Sequence, residues 1–113
     1  MVIKKISDVN KTKIEDKGTK DVSRQILIGI EDGSTNIIMR LFTLAPGGHS
    51  PLHTHDFEHL VKVEKGKGIA VYENGEREIQ SGDLVYVKPN EIHQFKNPFN
   101  EEFQFICVIP NKA

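Results

Sequence analysis

At 113 residues the chain is long enough for one domain with a genuine core and too short for two. Its 15 Lys and Arg against 16 Asp and Glu leave a net charge of -1, so no basic field exists to attract nucleic acid or an anionic membrane, and neither partner is expected. Met1 to Ile6 hold no apolar stretch of signal-peptide length, no later run approaches a membrane span, and the single cysteine, Cys107, permits no intrachain disulfide; a cytoplasmic protein is expected.

Residues 1–21 are polar and charged, with Ile3, Ile6, Val9 and Ile14 scattered among them at no helical spacing, which predicts an arm lying over the body or over a partner subunit. Residues 22–113 form the body, a series of short segments rich in Ile, Val, Leu and Phe and bounded by Gly, Pro, Asn and Asp. Val22 to Ile30 reads as a strand, Glu31 to Ser34 as a turn, and Asn36 to Ala45 as a strand stopped by Pro46-Gly47-Gly48. Phe57 to Lys65 alternates, with His59, Val61 and Val63 on one face, and ends at Gly66-Lys67-Gly68. Ile69 to Glu73 and Glu76 to Gln80 flank Asn74-Gly75, whose tolerance of positive φ predicts a two-residue type I′ hairpin. Leu84 to Val87, His93 to Lys96 and Phe103 to Ile109 complete the strands. About eight or nine strands without a strong helix require an all-β sandwich or barrel closed upon itself.

Four of the five histidines, His53, His55, His59 and His93, carry the chemistry. Side chains two or four residues apart on a strand leave the same face, so His53, His55 and His59 can converge. Neutral imidazole suits zinc, copper, iron and nickel, and its second nitrogen can hydrogen-bond outward while the first ligates. The pattern points to a metal site built on β-structure. His49, in the loop before Pro51, has the same parity and is expected to be solvated.

Gly47-x5-His53-x-His55-x3-His59-x6-Gly66 resembles the first motif of the cupin superfamily, in which a glycine, an H-x-H pair, a glutamate three or four residues on and a closing glycine recur. Gly82 through Asn97 is similar to the second motif, with His93 and Asn97 in register, Lys88 in place of proline and Asn90 in place of glycine. Asn90 can adopt the left-handed conformation that glycine supplies there. The resemblance covers residues 45 to 110 and implies a small single-domain cupin, a double-stranded β-helix or jelly-roll barrel with its histidines facing inward. His59 stands where the family's glutamate ligand usually stands, while the adjacent Glu58 has the parity of the outer face. The implied site is therefore the four-histidine variety, His53, His55, His59 and His93 around one divalent ion per chain. Resemblance suggests manganese, iron or zinc; the affinity order of imidazole sites also admits copper and nickel.

Cys107, Phe103, Phe105 and Ile109 share one face of the last strand, so Cys107 and Phe105 are candidates to line the same cavity, as are Phe57 and Phe95. Arg40 interrupts an apolar strand and either holds an anionic group inside the barrel or faces out. Apart from Glu58 and Glu91 no general base lies near the ligands, which leaves activation to the ion. The favoured function is a metal-dependent, dioxygenase-like oxidoreductase acting on a small organic molecule, with a Lewis-acid isomerase or lyase as the close variant. The alternative is a small-molecule or metal-sensing module without turnover. Exposed edges and the polar arm suggest a homodimer.

Overall fold

Apolar residues at every second position leave each strand one face to bury, and a lone sheet buries that face by curling over itself. The computed structural model describes residues 1–112, so Ala113, the last residue of the expected body, lies outside the described residues. The described residues form nine strands: β1 Thr12–Lys13, β2 Lys20–Ile28, β3 Ile37–His49, β4 His59–Lys65, β5 Lys67–Tyr72, β6 Gly75–Gln80, β7 Leu84–Val87, β8 Gln94–Lys96 and β9 Phe103–Pro110. They make one curled sheet in the order β6-β5-β8-β3-β9-β4-β7, with β2 added to β3 and β1 to β2. Short 3-10 turns at Ile6–Asp8 and Ile30–Asp32 are the helical segments, and among the described residues no helix is long and apolar enough to cross a membrane.

β3 joins the two halves of the sheet. Its body pairs with β2 and β9, whereas its last residue, His49, pairs with Lys96 of β8. The strand therefore continues through Pro46-Gly47-Gly48, where the sequence predicts a stop. Between Leu44 and His49 it lacks partners on β2, so the N–H that Pro46 cannot donate is not called on. Gly47 takes φ 86 and donates its N–H to Asn97 O at 2.7 Å, which turns the strand from one half of the sheet into the other. The expected β5–β6 hairpin is present, but Tyr72 pairs with Gly75, so Glu73 and Asn74 make the connection and neither Asn74 nor Gly75 has positive φ. Burial decides this register: Ile79 points into the core opposite Gly68, and a slip of one residue would turn it outward. Gly68 is required here because a Cβ would strike the Phe103 ring.

The arm lies on its own barrel. β1 pairs with β2, and the buried Gln25 donates from Nε2 to the carbonyls of Ile6 and Val9, both at 3.1 Å. Inside, Leu44, Val63, Phe103 and Phe105 interlock with Phe95 of β8 and Ile79 of β6, so the core draws on both halves of the sheet. Asn97, fully buried, closes the motif that bears His93. Its Nδ2 donates to Leu44 O at 2.9 Å and Glu101 O at 2.7 Å, and its Oδ1 accepts from Phe99 N at 3.0 Å. Removing that amide strands three backbone groups, so Asn97→Ala is expected to lower unfolding free energy by about 3 kcal/mol in urea titrations, against under about 1 kcal/mol if water replaces it freely.

Candidate metal centre

The site is built on a two-way backbone contact. His53 N–H donates to His93 O at 3.1 Å and His93 N–H returns to His53 O at 3.0 Å, an isolated antiparallel bridge between the two glycine-bounded segments. β4 begins only at His59, so His53 and His55 precede the strand instead of lying on it. The two rings nevertheless come together, with centroids 4.2 Å apart. Asn90 adopts φ 66, the left-handed conformation anticipated for it, and aims its N–H at His55 O at 2.6 Å. The second segment thus pins the backbone of both histidines of the first.

The ligand atoms of His53, His55 and His93 lie within 4.8 Å of one another. Two nitrogens on opposite sides of one ion, each about 2.1 Å from it, would be about 4.2 Å apart, so the cluster is already near the scale of a first shell. His93 donates from Nδ1 to Glu91 O at 2.9 Å, which leaves Nε2 as the free lone pair. The expectation of four equivalent ligands is narrowed here. His59 stands outside the convergent set, although its ring is 5.1 Å from that of His93 and 5.2 Å from that of His55. Its Nδ1 is 3.1 Å from Cys107 Sγ, and its Nε2 is buried with no partner among the described residues. A buried imidazole nitrogen without a hydrogen bond is costly, and an ion is one partner that would satisfy it.

Burial first, then the neighbouring imidazoles of His55 and His93, holds His53 down to about 4. His59 is held down to about 3 by burial, followed by His93, Arg40, His55 and His53. His55 is lowered by burial, His93 and Arg40, with Asp56 opposing. These three rings are neutral at pH 7 and carry lone pairs available to a cation.

Glu58 is exposed and accepts from Tyr86 Oη at 3.2 Å, on the outer side where its parity places it. Glu91 spends its carboxylate on Lys88 N at 3.0 Å, so the contribution that sequence reasoning missed is its backbone carbonyl, which orients His93. No side-chain pattern marks a carbonyl in advance. Arg40 points inward, opposite Cys107 in the β3–β9 register, and donates from Nη2 to Sγ at 3.3 Å. Burial raises the Cys107 thiol, with Arg40 opposing. Phe57 is half-buried and stacks on His55 at 4.7 Å and near His59 at 5.3 Å, whereas Phe95 and Phe105 belong to the core. His49 is half-buried at the end of β3, its Nδ1 3.2 Å from Ser50 O, and joins none of these contacts.

Residues 40–109 match the Cupin domain family. Over 90 residues, 80% of this chain and 56% of the relative, the sequence is 34% identical to 1-methylthio-D-xylulose 5-phosphate methylsulfurylase of Rhodospirillum rubrum, so the chain spans little more than half of that relative's length. The polyketide cyclase RemF of Streptomyces resistomycificus superposes with TM-score 0.93 at 25% identity, over 97% of this chain and 79% of that one. A cupin-2 domain from Rhodospirillum rubrum superposes with TM-score 0.86 at 28% identity, over 99% of this chain and 76% of that one.

The depressed histidines set a pH dependence. In unfolded chains they bind protons near pH 6.5, whereas in the folded protein His53 and His59 do so only near 4 and 3. The unfolded state therefore binds more protons below about pH 6.5, and stability must fall as pH drops through that window. Urea midpoints of chelator-treated protein at about pH 7.5, 6.5 and 5.5 should decrease in that order, with a flatter dependence in His59→Gln. Equal midpoints across the range would contradict neutral, desolvated imidazoles.

Proposed function

We propose, from the premise that this chain belongs to the cupin domain family, that it is a metal-dependent enzyme acting on a small oxygen-bearing organic molecule inside the barrel. The observation that carries this reading is the convergence of three histidine ligand atoms within 4.8 Å beside a fourth imidazole whose buried Nε2 has no partner. His53, His55 and His93 would hold a divalent ion, with His59 closing the set. For His59 Nε2 to offer its lone pair, Nδ1 must carry the proton and donate to Cys107 Sγ, so Cys107 orients that ring from behind. His93 is oriented in the same way by Glu91 O.

A divalent ion held only by neutral imidazoles supplies Lewis-acid polarisation of a carbonyl or bound water. The protein's own residues supply position: Phe57 presents an aromatic face beside His55, and the bridge to His93 keeps the ligands from separating. Neither relative named above, a methylsulfurylase and a polyketide cyclase, is named as an oxygenase, and carbonyl activation is the proposed reaction class in place of oxygen insertion. Zinc, manganese or iron would serve it, and a homodimer is the proposed assembly.

Two measurements test this reading. Elemental analysis should find about one divalent ion per chain in the wild type, little in His93→Ala, an affinity about 10- to 100-fold weaker in His59→Ala, and no change in Glu58→Ala. A greater loss in Glu58→Ala than in His59→Ala would overturn the ligand set. Zinc-loaded protein should also catalyse exchange of hydrogen next to the carbonyl of a small ketone or hydroxyketone in deuterated water, without oxygen uptake. Oxygen consumption by the iron-loaded form with no such exchange would instead establish the dioxygenase variant.

A further inference from the structure

Arg40 is a cation inside the barrel without a counter-ion among the described residues. Its Nη2 is bonded to Cys107 Sγ at 3.3 Å, its guanidinium lies 4.9 Å from the Phe42 ring centroid, and its Nε is buried with no partner. Among the described residues the ion pairs are Lys4–Asp32, Lys62–Glu64, Lys65–Glu102, Lys96–Glu76 and Lys112–Asp56, and Arg40 belongs to none of them. The nearby carboxylates are directed elsewhere: Glu58 to Tyr86, Glu91 to the Lys88 backbone, and Asp56, exposed at the rim, towards Lys112. A guanidinium placed among apolar side chains gains little from the Phe42 face and a sulfur, so the missing anion is a substantial loss.

The histidine cluster compounds this shortage of negative charge. Every candidate ligand is an imidazole, and an ion there would add two positive charges to that of Arg40 with no carboxylate among the candidate ligands to offset them. A bound anion is what the site lacks. Arg40 retains N–H groups on its terminal nitrogens in a planar fork, the geometry that matches a carboxylate with two parallel hydrogen bonds. A phosphate dianion would lose more hydration on entering a half-buried, partly aromatic enclosure.

We propose that Arg40 anchors the carboxylate of a small organic acid whose neighbouring carbonyl or hydroxyl oxygen meets the histidine cluster. This deepens the metal-centred reading above and rests on it for the second point of attachment. Cys107 then has two duties, holding the guanidinium by accepting from Nη2 and holding His59 by accepting from Nδ1, so the anion anchor and the ligand ring are set by one sulfur.

The test uses pyruvate and pyruvamide, which differ in the carboxylate alone, with inorganic phosphate as a third probe, titrated calorimetrically into zinc-loaded and metal-free protein. Pyruvate should bind the wild type at least about tenfold more tightly than pyruvamide, the scale of one charge-assisted hydrogen-bonded pair. In metal-free protein Arg40→Gln should abolish that preference, and its zinc content on loading should stay at the wild-type level. Arg40→Lys, which keeps the charge without the fork and guards against misfolding of the glutamine variant, should retain only part of it. A carboxylate preference that survives in metal-free Arg40→Gln, or phosphate binding as tight as that of pyruvate, overturns the proposal. In metal-free wild-type protein the preference should persist at weaker overall affinity. Its presence there in a chain that takes up no zinc would sink the metal reading and leave the Arg40 anchor standing, whereas normal zinc uptake with no preference would do the reverse.

Discussion

The paired hydrogen bonds between His53 and His93 are the constraint on which the rest of the site depends. They join a segment that follows β3 to one that precedes β8, positions forty residues apart in the chain, and put two imidazoles 4.8 Å apart between centroids. Everything nearby reinforces the contact. Asn90 donates to His55 O, Glu91 O accepts from His93, and Asn97 ties the end of β8 to the corner of β3. Loops are ordinarily the mobile part of a β-barrel, and here the backbone bonds of the loops are made to each other.

The electrostatics follow from that closeness. Desolvation and the neighbouring imidazoles keep protons off His53, His55 and His59, and the inward guanidinium of Arg40 adds to the effect at His55 and His59. The same arrangement that makes the rings good lone-pair donors leaves the interior short of negative charge. A site of this kind favours cations at the histidines and anions beside them, and the protein provides neither Glu58 nor Asp56 as an internal anion.

Much of this was legible in the sequence because strand parity is a strict rule. It placed Glu58 outside and His59 inside, and the substitution of Asn90 for glycine predicted the left-handed turn found there. Three features were not legible. Pro46-Gly47-Gly48 reads as a terminator, yet a bulge carries β3 through it, because beyond the unpaired residues His49 finds partners in Lys20 of β2 and Lys96 of β8 that local propensity does not see. The hairpin at Glu73-Asn74 took its register from the burial of Ile79, which outweighed the turn preference of Asn74-Gly75. His59 shares the parity of His53 and His55, but Cys107, forty-eight residues away, draws its Nδ1 and separates it from the convergent three.

The sequence by itself determined the all-β class, the identity of the histidines and the face of the chain each would occupy. These depend on alternation and on turn chemistry, which are properties of neighbouring residues. Only the tertiary structure decided which nitrogens point at one another, which carbonyl orients His93, and that Arg40 faces inward with no carboxylate among the described residues to meet it. Those outcomes depend on distances between segments remote in the chain, and periodicity along a strand fixes direction without fixing what waits on the other side.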